Sequence, residues 1–155
     1  MVWEAMGRWA LSSWRQISSV LWVPLLGLIL ATIVDFWKRQ VPDSIPITLF
    51  GWAVGTTAFG MSSQGWMSLA LGLGLGFSIG AFLFWLGGFG GGDAKLLAAV
   101  GATLGPRALL AFLFYCAIAG GLLAADALLR GKRDLAYTPA MALGFFVFMM
   151  IRGMR

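Results

Sequence analysis

Long apolar stretches alternate with short polar ones along this chain. The first apolar run covers residues 20–36 and ends at Trp37-Lys38-Arg39-Gln40-Val41-Pro42-Asp43-Ser44. A second covers 45–61, with Pro46 placed for a first helical turn and Asp43 or Ser44 as its cap. After Ser62-Ser63-Gln64 a third run covers 66–86, with Gly72, Gly76 and Gly80 spaced four apart. That spacing leaves one helix face as bare backbone and predicts close helix contact. Then comes Gly87-Gly88-Phe89-Gly90-Gly91-Gly92-Asp93, followed by an apolar run over 94–104. Spanning a bilayer takes about 20 residues, so this run is a half-helix unless it borrows from the glycines. Gly105-Pro106-Arg107 breaks the chain before a fifth run, 108–129. The last covers 135–151 after the basic stretch 130–134. The pattern predicts an all-α, polytopic transmembrane helical bundle of about six segments, one domain over residues 1–155. Residues 1–18 lack a clean signal-peptide pattern. Trp3, Met6, Ala10 and Ile17 recur at helical spacing, which fits an amphipathic helix lying on the membrane surface, with a structureless start as the alternative.

Composition sharpens this picture. Apolar residues make up 60% of the chain and charged ones 11%, too few to cover a soluble domain, for which about a quarter is usual. The net charge of +5 sits between apolar runs, as loop charges facing anionic lipid do, so membrane lipids are the expected partners and nucleic acid is not. With the loop after the first segment in the cytoplasm, that side collects Lys38, Arg39, Lys95, Arg130, Lys132 and Arg133. The other side collects Arg8, Arg15, Arg107, Arg152 and Arg155. Six against five favours placing Asp35 and Asp93 at the cytoplasmic face. Histidine is absent, which excludes Ser-His and Cys-His nucleophiles and HExxH zinc sites. The single cysteine, Cys116, lies inside an apolar run and reads as a packing residue.

Chemistry is left to the acids, and two of the six stand out. Asp35 closes an apolar helix where both the helix dipole and the hydrocarbon edge disfavour a carboxylate. A salt bridge to Lys38 or Arg39 is the plain structural explanation. Asp93 follows the glycine run, and helix capping is the plain explanation there. Glycines also let a substrate backbone approach without obstruction. The segment count puts Asp35 and Asp93 at one membrane face, where two close carboxylates share a proton and can act as acid and base on a peptide bond, without metal or cofactor. Lys95 is placed either to tune Asp93 or to bind lipid phosphate. Asp126 precedes Arg130 by four residues and is expected to pair with it.

Three segments, in order, resemble the type IV prepilin peptidase family of GxGD membrane aspartic peptidases. Asp35 through Pro42-Asp43 resembles its aspartate, basic residues and Val-Pro-Asn; Gly90-Gly91-Gly92-Asp93-Ala94-Lys95-Leu96 resembles its GxGD segment; Tyr137-Thr138-Pro139-Ala140-Met141-Ala142-Leu143-Gly144 resembles its closing Tyr-Gly-Pro-Ala motif. The resemblance implies an aspartic endopeptidase of the bacterial inner membrane with Asp35 and Asp93 as the catalytic pair. It implies substrate-binding or site-shaping roles for Gly90, Gly92, Lys95, Pro42, Tyr137 and Pro139, no cofactor, and a pilin-like precursor as partner, cut at the cytoplasmic face. Asp43 stands where Asn is usual and Thr138 where Gly is usual. Larger members carry a paired-cysteine insertion and methylate the new N-terminus; with one Cys and a length like the Flp-type peptidases, this chain is expected not to methylate. Two other classes compete: a small proton-coupled transporter, whose relay acids belong at mid-membrane, and a non-catalytic subunit of a pilus or secretion assembly.

Overall fold

A computed structural model describes residues 20–37, 42–62, 64–129 and 137–153. The expected surface helix over 1–18, the basic residues Lys38 and Arg39, and Arg130, the expected partner of Asp126, lie outside these residues. Among the described residues five helices follow one another: α1 (Val20–Trp37), α2 (Ser44–Ala58), α3 (Trp66–Trp85), α4 (Gly91–Leu129) and α5 (Thr138–Gly153). Three of them, α1, α3 and α4, are long and apolar enough to cross a membrane.

Helix α4 accounts for the sixth segment. Its 39 residues would measure about 58 Å as a straight rod, twice the thickness of the hydrocarbon layer. Gly105 breaks it, with φ 74° and ψ 169°, and Pro106 follows, so the regular ladder of helical bonds is interrupted there. The two halves fold back on each other, and Leu109 packs on Gly101 across the corner. The Gln64 amide, from the α2–α3 turn, donates to the Thr103 carbonyl beside the break. Apolar solvent offers no such partner, so a neighbouring side chain has to provide it.

The first half of α4 is the centre of the molecule. Residues 96–105 are buried at every position. A segment enclosed by protein on all sides need not match the bilayer, which explains how so short a run is accommodated. It begins at Gly91, so it does borrow from the glycine run. Helix α3 lies against it antiparallel along the face of Gly72, Gly76 and Gly80. A methyl group on Gly76 would sit 2.7 Å from the Leu97 carbonyl oxygen, and one on Gly80 2.8 Å from the Ala94 Cα, so only glycine permits this approach. The second half of α4 pairs with α5, where Phe112 and Phe145 meet edge to face at 5.5 Å. Leu28, Leu49, Leu96, Leu97, Leu109 and Met141 complete the buried core. Large apolar side chains such as Trp22, Leu30, Phe77, Phe114 and Leu122 face outward, as in a protein solvated by lipid.

Two boundaries differ from the pattern read along the chain. Helix α2 stops at Ala58 rather than 61, because Gly60 (φ 66°) turns the chain and the Gly60 and Met61 amides bond back to Thr57 and Thr56. Asp43 does not cap α2 with its side chain; its carboxylate is engaged elsewhere.

Candidate active site

The ends of α1, α3 and α4 and the starts of α2, α4 and α5 gather at one end of the bundle. Helix α3 terminates there in a glycine-stabilised turn. Gly87 takes φ 76°, and the Gly87 and Gly88 amides bond to the Phe84 and Leu83 carbonyls. The chain then runs through the exposed Gly88 and Gly90 into α4. A methyl group placed on Gly88 would meet only the Leu83 carbonyl, at 3.6 Å, and one on Gly87 would meet nothing within 4 Å. The glycine run is therefore a strip of open backbone, not a packing surface.

Asp93 is the third residue of α4. Its Oδ2 accepts a bond of 3.3 Å from the Gly90 amide, the reciprocal contact by which a third-position acid satisfies the residue before a helix. Capping thus occupies one oxygen and leaves the other. Asp93 Oδ1 lies 3.0 Å from the Thr138 hydroxyl, and Asp35 Oδ2 lies 3.1 Å from the same hydroxyl. The two carboxylate oxygens are consequently no more than about 6 Å apart, the sum of these two contacts. Both aspartates are half-buried, while Thr138, the first residue of α5, is completely buried. Two carboxyl groups at this separation, one protonated and one not, can serve as acid and base on either side of a bound water and peptide carbonyl.

The residues flanking the motifs divide into three settings. Lys95 reaches across to Asp43, bonding both carboxylate oxygens at 2.8 and 2.9 Å, and so ties the start of α4 to the start of α2. Pro42 is exposed, and its carbonyl accepts the Ile45 amide at the entry to α2. Tyr137 packs its ring on Phe89 at 4.9 Å, joining the glycine run to α5, and its carbonyl begins the α5 ladder at Met141. Gly92 and Pro139 are half-buried in the first turns of α4 and α5. The structure thus brings Asp35, Asp93 and Gly90 together through hydrogen bonds, with Tyr137 beside them, while Lys95 and Pro42 sit on the exposed flank. Among the described residues no cluster of three metal-ligating acids or thiols is assembled.

Sequence reasoning noted Thr138 only as a departure from the family motif and gave it no role at the site. The signal was present: it is the hydroxyl-bearing residue inside the third motif, at the position where that motif departs from glycine. Its partners lie 45 and 103 residues away, beyond any local pattern.

Known proteins give this arrangement a setting. A profile described as the type IV leader peptidase family matches residues 21–125, more than half of the chain. The chain is also similar to the prepilin leader peptidase/N-methyltransferase of Bacillus subtilis (strain 168), with 31% identity over 123 residues. The match covers 76% of this chain and 49% of the relative, so the chain spans about half the length of the curated relative it matches. No solved structure matches.

Proposed function

This chain belongs to the type IV leader peptidase family, and on that premise we propose that it cleaves the basic leader from type IV pilin-like precursors, with Asp35 and Asp93 as the acid–base pair. The observation that carries the reading is the meeting of two carboxylates from distant helices on one buried hydroxyl. Both acids sit near helix ends. A proton-relay acid of a transporter belongs instead in mid-membrane, on a helix.

In the proposed reaction the ionised carboxylate takes a proton from a water held between the two acids. The water oxygen attacks the scissile carbonyl carbon while the protonated carboxyl gives its proton to the carbonyl oxygen. Collapse of the tetrahedral intermediate breaks the C–N bond. The carboxyl that gained the water proton passes it to the leaving amine, and the other recovers its own from the intermediate, so the pair ends as it began. No cofactor takes part. The open strip at Gly88 and Gly90–Gly92 offers room for an extended leader beside Asp93. The site end of the bundle faces the cytoplasm of a bacterial inner membrane in this reading, supported by the arginine and lysine placement. Methyl transfer to the new N-terminus is not part of the proposed activity.

Co-expression with pilin-like precursors from the same genome tests this. Wild type is expected to produce the mobility shift of leader loss, and Asp35→Asn and Asp93→Asn to lower the cleavage rate by at least about 10²-fold at equal membrane levels. Cleavage that survives both substitutions would overturn the assignment.

A further inference from the structure

We propose that Thr138 is a positioning residue that holds the two aspartates in their one-proton state. The inference rests on the aspartate-pair reading above and goes beyond it. A threonine hydroxyl has one hydrogen to give and lone pairs to receive. Here it lies within hydrogen-bond distance of two carboxyl oxygens at once, 3.1 Å from Asp35 and 3.0 Å from Asp93. It can donate to only one of them. The second contact is a hydrogen bond only when that carboxyl carries a proton and donates it to Oγ1. With both acids ionised, one carboxylate oxygen faces a hydroxyl oxygen with no hydrogen between them, and the two like charges repel. With both protonated, the bond from the hydroxyl loses the charge that makes such contacts strong. The arrangement with one ionised and one protonated acid makes both contacts hydrogen bonds, and it is the state the acid–base reaction needs at the start of each cycle.

The setting supports this selectivity. Thr138 is fully buried, so bulk water does not compete for its hydroxyl. Among the described residues, Asp35 from α1 and Asp93 from α4 bond to it. Tyr137 precedes it on α5. The Lys95–Asp43 pair bridges the starts of α4 and α2 and satisfies its own charges. Helix α3 contributes no charged side chain.

Three substitutions separate a hydroxyl bridge from simple packing. Thr138→Ser keeps the hydroxyl and loses a methyl. Thr138→Val keeps the shape and loses the hydroxyl. Thr138→Ala loses both but leaves room for a water to bridge. Full-length protein in detergent would be assayed with a precursor that wild type cleaves, over a range of pH. The expected order of kcat is Thr and Ser together, then Ala, then Val, with Val at least about tenfold down, KM little changed, and the active pH range narrowed. A packing role gives the opposite order, with Val matching wild type and Ser impaired, and that result overturns the proposal. Should Val fail to accumulate, the Ser–Ala comparison decides: equal rates sink the bridge. Failure of the underlying reading is distinct, because it would show as cleavage surviving in Asp35→Asn and Asp93→Asn.

Discussion

A carboxylate near the C-terminal end of a helix faces the negative end of the helix dipole, and Asp35, which sits there, has the Thr138 hydroxyl as a partner. Asp93 has the easier position, at a helix start with the Gly90 amide behind it. Lys95 and Asp43 form a different kind of contact. Their side chains are 54% and 61% exposed, so water screens the pair and its geometry matters more than its energy. Lys95→Met and Asp43→Asn are each expected to lower stability by less than about 1 kcal/mol, with coupling no larger, in a double-mutant cycle read by thermal unfolding in detergent. The aspartates were legible in the sequence because a charge at the end of an apolar run is conspicuous. The reach of Lys95 to Asp43 was not, because 52 residues separate them and either could find a nearer partner.

Helices are where the sequence was most readable. The runs over 20–36 and 66–86 match α1 and α3 to within a residue at either end, because an uninterrupted apolar stretch bounded by polar turns leaves little choice. The last helix starts at Thr138, three residues later than expected, since apolar character alone does not mark where a helix begins. The glycine face of α3 was also visible, as a period of four. Its consequence is sharply position-dependent. Gly76→Ala forces a methyl group against the Leu97 carbonyl and is expected to destabilise by about 1–3 kcal/mol. Gly74→Ala, two residues away, meets nothing within 4 Å and is expected to be neutral or to stabilise by up to about 1 kcal/mol through helix propensity. Unfolding of the two variants in the same detergent would show the contrast. What the sequence did not reveal was the clamp on the break in α4. Gln64 read as an ordinary turn residue, yet its amide satisfies the carbonyl of Thr103, 39 residues on.

At the scale of the whole molecule, two ends are chemically unlike. One carries Pro42, the glycine strip, Lys95 and Tyr137; the other carries the turn at Gly60–Ser62 and the corner at Gly105. The proposed reading puts the first end in the cytoplasm. With Cys116 replaced by Ala, single cysteines at Pro42 and Ser62 are expected to react with a membrane-impermeant thiol reagent from opposite sides, Pro42 only after the membrane is opened. Reaction of Pro42→Cys in intact cells would reverse the orientation. The bridge itself draws one residue from the first helix, one from the centre and one from the last. Synthesis is directional, so Asp35 leaves the ribosome 103 residues ahead of Thr138. At typical elongation rates this is on the order of 5–20 s. Over the last 45 residues of that interval both acids have been made but the hydroxyl that joins them has not. On the proposed reading, a nascent chain therefore lacks the contact that sets the one-proton state of its acids until its final helix inserts.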